Sequence, residues 1–271
     1  ISCIDVFYDL AFALMDLCHR GEEHRALANI LLNRYLDLGG DIAGLATLPF
    51  FLSLRASIRS HILAGGSKTQ DDPAAADKKR KESIAYLGTA ASLLRAGKAR
   101  LMAVAGLSGS GKSSLARKLA PAFLPAPGAR IIRSDTLRKR LQNVAPETRL
   151  DRAAYTQQAS DQVYDAMLQE AATALRAGYT VILDATYLRE RERKAAEELA
   201  RDLGLPFDGF WLDVPKETLA ARIEARRNDA SDADRAVLEQ QLTYDLGEIE
   251  WHRIDAGKSL EHSLHLVRQY L

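Results

Sequence analysis

The sequence has few cysteines, and the two it has do not suggest a disulfide framework. Cys3 and Cys18 lie in an apolar helical pattern at the start of the 271-residue chain. Small secreted domains that depend on disulfides carry more cysteines at regular spacing. We therefore expect buried thiols in a reducing compartment and predict a cytoplasmic protein. The chain contains no CxxC pair and its six histidines show no metal-ligand spacing, so we predict no structural zinc.

The sequence also lacks a strong charge of either sign and any long hydrophobic run. It carries 37 basic and 36 acidic side chains, which argues against a protein that coats nucleic acid. Its apolar stretches are far shorter than the roughly 18 residues that a membrane helix needs, so we predict no membrane partner. Hydrophobic residues at 47% and charged residues at 27% are typical of globular domains.

The first part of the chain shows helical periodicity and no strand signal. Apolar residues recur at steps of three and four, and glycines at Gly21, Gly39–Gly40 and Gly65–Gly66 mark the expected helix ends. The chain opens at Ile1 without the basic region of a signal peptide, and we interpret it as a fragment whose N-terminal part is missing. Residues 67–98 begin with small, polar residues, which predict a linker. A basic run then opens a stretch that predicts a connecting helix.

From residue 99 onward, short apolar runs alternate with helical stretches. These runs are typical of buried strands and lie at Leu101–Ala105, Arg130–Arg133, Thr180–Leu183, Gly209–Val214 and, more weakly, His252–Ile254. Strands that alternate with helices form a parallel sheet covered on both faces. We therefore predict an α/β fold, with a doubly wound parallel sheet of about five strands over residues 99–271 and an all-helical segment over residues 1–66.

Residues 106–113 read GLSGSGKS and match the phosphate-binding pattern GxxxxGK[ST] in full. Glycines let main-chain N–H groups approach phosphate oxygens, and the helix that follows adds the positive end of its dipole. In such a P-loop, Lys112 would bridge the β- and γ-phosphates and the Ser113 hydroxyl would bind Mg²⁺. The pattern predicts a P-loop NTPase that binds ATP and Mg²⁺ through Gly106, Ser108, Gly109, Ser110, Gly111, Lys112, Ser113 and Ser114.

The residues around the other strands favour a kinase over other P-loop proteins. No [NT]KxD motif for guanine is present, and the third predicted strand ends Asp184-Ala185 rather than in the Asp-Glu of remodelling ATPases. We expect Asp184 to act on Mg²⁺ through water, with a helix cap as its alternative role. Asp135 follows the second strand and is expected to take the proton of an acceptor hydroxyl, with a helix N-cap as the alternative. Arg138 lies one turn further on, where it could hold an anionic acceptor.

The residues near Asp135 and those after the fourth strand carry further basic groups. We expect Arg133, Lys139 and Arg140 to be surface charges. Arg222 and Arg226 are four residues apart and share a helix face, which fits a lid that closes over phosphate. Arg226 is the preferred lid arginine, although an ordinary solvated helix is the alternative for this stretch.

Five stretches of residues 99–271 carry a family resemblance: GLSGSGKSSLARKLAP, PGARIIRSDTLRKRL, AGYTVILDATYL, FDGFWLDVP and RRNDASDAD. Together they resemble the bacterial predicted-kinase family of P-loop proteins, which is related to gluconate kinase, polynucleotide 5′-kinase and zeta-toxin kinases. The resemblance implies that Asp135 is the general base, that Arg138 binds substrate and that Arg226 is the lid arginine.

The N-terminal segment carries a second resemblance. The stretches IDVFYDLAFALMDLCHRG and LATLPFFLSLRASIRSHI resemble the last helices of an aminoglycoside-phosphotransferase-like domain. That resemblance implies a fused, kinase-like partner domain in the parent protein. The catalytic HGDxxxxN loop of such domains is not in this chain, so we assign no catalysis to residues 1–66.

These observations predict an ATP- and Mg²⁺-dependent kinase whose acceptor is a hydroxyl on a small, anionic molecule. A polynucleotide 5′-kinase is one alternative, but residues 101–271 carry 24 basic and 25 acidic side chains, which does not favour a basic nucleic-acid channel. The other alternative is a non-catalytic ATP-sensing module that regulates a fused domain. Such a sensor would need only the phosphate loop, and not Asp135 or the lid arginines.

Overall fold

The computed structural model describes residues 4–225 and 231–271, and over these residues the chain forms a five-stranded parallel sheet flanked by α-helices. The strands are β1 Leu101–Ala105, β2 Arg130–Arg133, β3 Val181–Asp184, β4 Phe207–Asp213 and β5 His252–Asp255. The α-helices are α1 Val6–His19, α2 Glu22–Gly39, α3 Leu48–Lys68, α4 Pro73–Leu93, α5 Lys112–Leu119, α6 Ser134–Leu141, α7 Gln157–Arg176, α8 Glu190–Asp202, α9 Lys216–Ala225, α10 Arg235–Leu242 and α11 Leu260–Arg268.

The strand order is β2-β3-β1-β4-β5, and every neighbouring pair runs parallel. Alternate residues of β1 enter two different cores: Leu101, Ala103 and Ala105 pack on one face of the sheet, and Met102 and Val104 on the other. A central strand buried on both sides reads as a continuous apolar run, which is why its position could be predicted. The predicted α/β fold with a helical N-terminal segment is confirmed, and the strand bounds differ by at most two residues.

The third helix differs from the prediction because its two glycines do not end it. α3 continues through Gly65 and Gly66 to Lys68, and α4 begins at Pro73, so only four residues separate the two helices. Each glycine inside a helix costs roughly 1 kcal/mol relative to alanine. The two helices offset that cost by packing along each other, with Ser60 and Ser83 each donating a 2.8 Å hydrogen bond to the other's carbonyl oxygen.

Helix α2 closes the open edge of the sheet at β2. The Asn33 side chain accepts hydrogen bonds from the Ile131 main-chain N–H (2.8 Å) and from Arg130 (3.1 Å). Its amide group donates to the Ala129 carbonyl (3.2 Å), which also accepts from Asn29 (3.0 Å). An exposed edge strand can pair with the strands of other chains. These buried asparagines instead form hydrogen bonds with main-chain groups at the β2 edge, which a neighbouring strand would otherwise pair.

A buried ion-pair group fastens the helical segment to the α/β unit. Arg130 is only 2% exposed and lies 2.7 Å from Asp37 of α2 and 3.6 Å from Glu170 of α7. Arg140 of α6 pairs with the same glutamate and donates to the Leu36 carbonyl of α2 (2.9 Å). The prediction that Arg140 is a surface charge is therefore wrong, because its side chain links α2 of the helical segment to α7 of the α/β unit.

The structure bears on two expectations drawn from composition, the lack of a membrane-spanning helix and the burial of the cysteines. None of the described helices is long and apolar enough to cross a membrane. Cys18 is partly buried, and this burial raises the pKa of its thiol to about 11. Cys3 lies outside the described residues.

Candidate functional site

The phosphate loop lies where β1 ends and α5 begins, and its glycines allow the close turns it makes. Gly106 and Gly109 have φ angles of +130° and +86°. A Cβ at Gly106 would lie 2.8 Å from the Leu212 carbonyl oxygen, and one at Gly109 would lie 2.9 Å from that of Leu219. Side chains at these two positions would clash with β4 and α9, so the loop keeps its curvature only with glycine there.

Lys112 folds back over the loop that it follows. Its ammonium group donates to the carbonyl oxygens of Gly106 (2.9 Å) and Leu107 (3.0 Å). These contacts hold a positive charge directly above the turn, at the first residue of α5. The helix N-terminus adds to that positive field, so the arrangement favours a polyphosphate.

Beside the loop, a hydroxyl and a carboxylate lie in contact. Ser113 donates a 2.5 Å hydrogen bond to the carboxylate of Asp184, and Arg133 lies 3.3 Å from the same oxygen. The register of the sheet explains the meeting, because Asp184 pairs with Val104 just before the phosphate loop. Paired oxygen atoms of this kind are ligands that Mg²⁺ accepts, so the residues fit the predicted ion. In the described part of the chain no three His, Cys, Asp or Glu side chains form a metal cluster, and an ion here would take its other ligands from phosphate and water.

Asp135 lies across the cleft on the first turn of α6. The helix starts at Ser134 with Arg133 as its cap residue, and the Asp135 side chain does not cap it. Burial is the largest influence on the Asp135 carboxyl and raises its pKa; the nearby Asp184 charge also raises it. Arg133, a hydrogen bond from Ser231 and Lys112 act in the opposite direction. A carboxylate with a raised pKa in a cleft has the property of a proton acceptor.

Arg138 does reach the cleft wall, but its guanidinium group is bound mainly to the protein. It is 7% exposed and donates to the Ala154 carbonyl (2.6 Å) and the Ser160 hydroxyl (3.4 Å). The same group lies 4.8 Å from the centre of the Tyr155 ring. Arg138 therefore fixes the wall opposite the phosphate loop and contributes positive charge to it.

Two further basic residues predicted to be surface charges belong to the interior. Lys139 is fully buried and donates to the Pro146 carbonyl (2.9 Å) and the Asp232 carboxylate (3.0 Å). Arg133 is half-buried against Asp184. Those predictions are wrong because an acidic side chain from a distant part of the chain compensates each charge.

The two predicted lid arginines have different outcomes. Arg222 of α9 donates to the carbonyl oxygens of Ala256 (3.0 Å) and Lys258 (3.1 Å), in the loop between β5 and α11. It lines both the main cleft and a smaller cavity of about 270 Å³ behind the phosphate loop. Arg226 lies outside the described residues.

The main cleft has a volume of about 1040 Å³ and gathers most of the predicted site residues. Its lining includes Ser108, Gly109, Gly111, Lys112, Ser113, Ser114, Asp135, Arg138, Asp184 and Arg222. Ser110 lines the smaller cavity instead. Gly106 lines neither, and its part in the site is the carbonyl contact with Lys112.

Several cleft residues were not foreseen from the sequence. Asp232 accepts hydrogen bonds from Tyr155 (2.7 Å), Lys139 and the Leu150 N–H (3.0 Å). Gln241 of α10 contacts Ser108 in the phosphate loop. No motif or spacing in the sequence distinguishes Asp232 from the other polar residues near it, so its position in the cleft is evident only from the fold.

The loop after β3 forms another wall of the cleft. Thr186 lies 3.4 Å from the Tyr164 hydroxyl, which also accepts from the Tyr187 N–H (3.1 Å). Tyr187 has a φ of +52°, which is costly for a residue with a side chain. Arg193 supports the turn by donating to the Tyr187 carbonyl (2.9 Å). Tyr164 and Thr186 of this wall line the cleft.

Comparison with known proteins places the α/β unit in a family. A family profile described as an AAA domain matches residues 101–244. Uncharacterized proteins of Mycobacterium tuberculosis and Mycobacterium bovis are each 31% identical to this chain over 269 residues. The match covers 96% of this chain and 51% of each of them, so the chain spans about half the length of these curated relatives.

Several solved structures are similar to part of the chain. A sugar kinase from Janibacter matches with a TM-score of 0.46 at 19% identity, covering 64% of this chain and 94% of the other. A gluconokinase from Sinorhizobium meliloti matches with a TM-score of 0.45 at 22% identity, covering 65% and 95%. An APS kinase of Mycobacterium tuberculosis, in complex with AMPPNP and APS, matches with a TM-score of 0.43 at 18% identity, covering 64% and 96%. At these scores the similarity says nothing about the substrate of this chain.

Proposed function

Because the chain belongs to the AAA domain family, we propose that it is an ATP- and Mg²⁺-dependent kinase that phosphorylates a hydroxyl of a small anionic acceptor. One observation carries this proposal. A single cleft is lined by most of the phosphate loop, by Ser113 and Asp184, which are in contact, and by a separate, partly buried carboxyl at Asp135. A protein that only sensed nucleotide would need the first of these features but not the third.

The nucleotide side would be held by the loop and the residues behind it. Main-chain N–H groups of the loop and Lys112 would bind the phosphates. The smaller cavity, edged by Arg222 and Ala256, would take the nucleobase. Ser113 and Asp184 would hold Mg²⁺, which when bound would neutralise charge on the phosphates.

Asp135 would act on the acceptor. The hydroxyl oxygen would attack the γ-phosphorus while the bond from that phosphorus to the β–γ bridging oxygen breaks, so that ADP leaves with the electron pair. The hydroxyl proton would pass to the Asp135 carboxylate. Its raised pKa supports the role, because a carboxylate that is costly to keep ionised in its pocket takes up a proton more readily.

The charge of the cleft supports an anionic acceptor. Arg133, Arg138, Arg149 and Arg189 line it from different elements. Arg133, Arg149 and Arg189 have carboxylate partners, whereas Arg138 donates to the Ala154 carbonyl and the Ser160 hydroxyl and lies 4.8 Å from the centre of the Tyr155 ring. Arg226 remains the proposed lid arginine, whose charge would stabilise the transferred group.

A transfer assay with γ-labelled ATP and Mg²⁺ tests the proposal. The acceptors would be sugars, sugar acids, nucleosides, aminoglycosides and oligonucleotides with a 5′-hydroxyl. We expect label in a small anionic product with the unmodified protein and none with Lys112→Ala. Label in oligonucleotides alone would favour a polynucleotide kinase, and the release of inorganic phosphate alone would contradict a kinase.

A further inference from the structure

A contact between α10 and the phosphate loop has no part in the mechanism above. The Ser108 main-chain N–H donates to the Gln241 side-chain oxygen at 2.9 Å, and the Gln241 amide group donates to the Ser108 hydroxyl at 3.0 Å. A main-chain N–H can only donate, so it fixes which end of the carboxamide faces it. The two residues are 133 positions apart, and their contact is therefore a product of the fold.

The contact lies at the acceptor end of the phosphate loop. Ser108 lines the main cleft together with Asp135 and Arg138, whereas Ser110 lines the smaller cavity on the other side of the loop. The N–H of Ser108 is occupied by a neutral oxygen of the protein. The outermost group of a phosphate chain bound by the rest of the loop would therefore lie next to Gln241.

The residues that lead into α10 are bound to the opposite wall of the cleft. Asp232 accepts from Lys139 and from Tyr155, which belong to the acceptor side. Within α10, Leu238 is buried against Leu219 of α9, with Leu107 of the loop packed on the same cluster. Residues 231–242 therefore touch both the phosphate loop and the acceptor wall.

We propose that Gln241 is a positioning residue that sets the acceptor end of the phosphate loop and thereby the place of the γ-phosphate relative to Asp135. This inference rests on the proposed kinase function and names a further residue on which the transfer step depends. It predicts that Gln241 matters little for ADP, which ends at the β-phosphate, and matters much for a nucleotide with a γ-phosphate.

The test compares binding of ADP and of a nonhydrolysable ATP analogue, with Mg²⁺, by calorimetry in two variants. Gln241→Glu keeps the size of the side chain and its contact with the Ser108 N–H, and the Ser108 hydroxyl can turn to donate to it. The variant adds a negative charge beside the γ-phosphate, so we expect affinity for the analogue to fall roughly tenfold and affinity for ADP to change by less than about twofold. Gln269→Glu adds the same charge at the exposed residue that follows α11 and should change neither.

Gln241→Ala removes the contact without adding charge. We expect phosphoryl transfer to fall by roughly tenfold or more while ADP affinity stays within about twofold, because only the acceptor end of the loop loses its support. Glu239→Ala, on the exposed side of the same helix, is the matched control.

Two results would overturn the inference. Equal loss of ADP and analogue binding in both Gln241 variants would reduce the residue to a general support of the loop. Unchanged analogue binding in Gln241→Glu, with unchanged transfer in Gln241→Ala, would remove it from the site. A failure of the unmodified protein to bind any nucleotide would instead refute the proposed function, so the two failures can be told apart.

Discussion

The two sides of the cleft are built from different parts of the polypeptide. The proposed nucleotide side is made by eight consecutive residues, 106–113, with glycine at positions where a Cβ would clash. The acceptor side is made by long charged and aromatic side chains from α6, from the residues before α7 and from the residues before α10. A site of the first kind can be recognised from a short motif, whereas a site of the second kind exists only after folding.

Because the two sides are built differently, substitutions on each side should affect different measurements. Substitutions on the nucleotide side should change binding of every nucleotide. Substitutions on the acceptor side should leave that binding intact and change transfer or stability.

The largest effect is expected for Lys112→Ala, which removes the charged group above the phosphate loop. A ligand at about 100 times its Kd stabilises a protein by about 2.7 kcal/mol, and this stabilisation should vanish in the variant. Thermal melting with and without Mg·ATP measures it. Lys118→Ala, exposed on the same helix, is the control and should keep the full shift. A full shift in Lys112→Ala would contradict the assignment of the loop.

On the acceptor side, Asp135→Asn should keep nucleotide affinity and lose phosphoryl transfer. The carboxamide has the same size but cannot take the proton, and a general base contributes roughly 10²–10⁴-fold. Nucleotide affinity measured by calorimetry and transfer measured with labelled ATP should therefore separate in this variant. If both fall together, the cleft does not divide into two sides as described.

Lys139→Ala should reduce stability by about 1–3 kcal/mol, because the Asp232 carboxylate loses a buried hydrogen-bonded partner but keeps its bonds from Leu150 and Tyr155. Arg149→Ala breaks an exposed pair with Asp234 nearby and should cost at most about 1 kcal/mol. Urea unfolding of both variants gives the difference. Equal losses would mean that the acceptor wall does not depend on the buried pair.

The pH dependence should also distinguish the sides. Asp135 must be ionised to accept a proton, so transfer should fall as the pH drops through its pKa, which lies above the ordinary value of 3.8. A carboxyl whose pKa is raised on folding loses stability as the pH rises through that pKa, so Asp135→Asn should be at least as stable as the unmodified protein at pH 7. The rate profile and the melting temperatures at pH 4 to 7 check both points. A variant less stable at pH 7 would show that the ionised form supports the fold.

The smallest effect is expected for Arg222→Ala. Its guanidinium group is held by the carbonyl oxygens of Ala256 and Lys258, so its removal loosens the edge of the smaller cavity. We expect nucleotide affinity to fall by about fivefold or less, as measured by titration with ADP. A loss as large as that of Lys112→Ala would place Arg222 on the phosphates instead.

The fold was largely predictable because its signals are local. Five apolar runs mark the strands, and the main error concerns α3, where packing against α4 outweighs the helix-breaking tendency of Gly65 and Gly66. Helix propensity is a weak preference, and contacts between two helices that are adjacent in the chain are enough to overcome it.

The sequence indicated the candidate site more fully on its nucleotide side than on its acceptor side, where Asp135 and Arg138 were expected but their partners were not. The sequence alone suggested that Lys139 and Arg140 face solvent, because charged residues usually do. Their partners, Asp232 and Glu170, lie in other elements, and no spacing along the chain reveals such pairs. Gln241 was missed for the same reason, since its partner is 133 residues away.

The fate of the γ-phosphate tests the central claim most directly. Phosphorus NMR would follow Mg·ATP with the best acceptor from the transfer assay, for the unmodified protein and for Asp135→Asn in parallel. We predict that a new phosphoester signal grows with ADP in the unmodified protein and that both are nearly absent in the variant. Growth of inorganic phosphate in place of a phosphoester, at equal rates in both proteins, would contradict the claim that this cleft is a kinase active site.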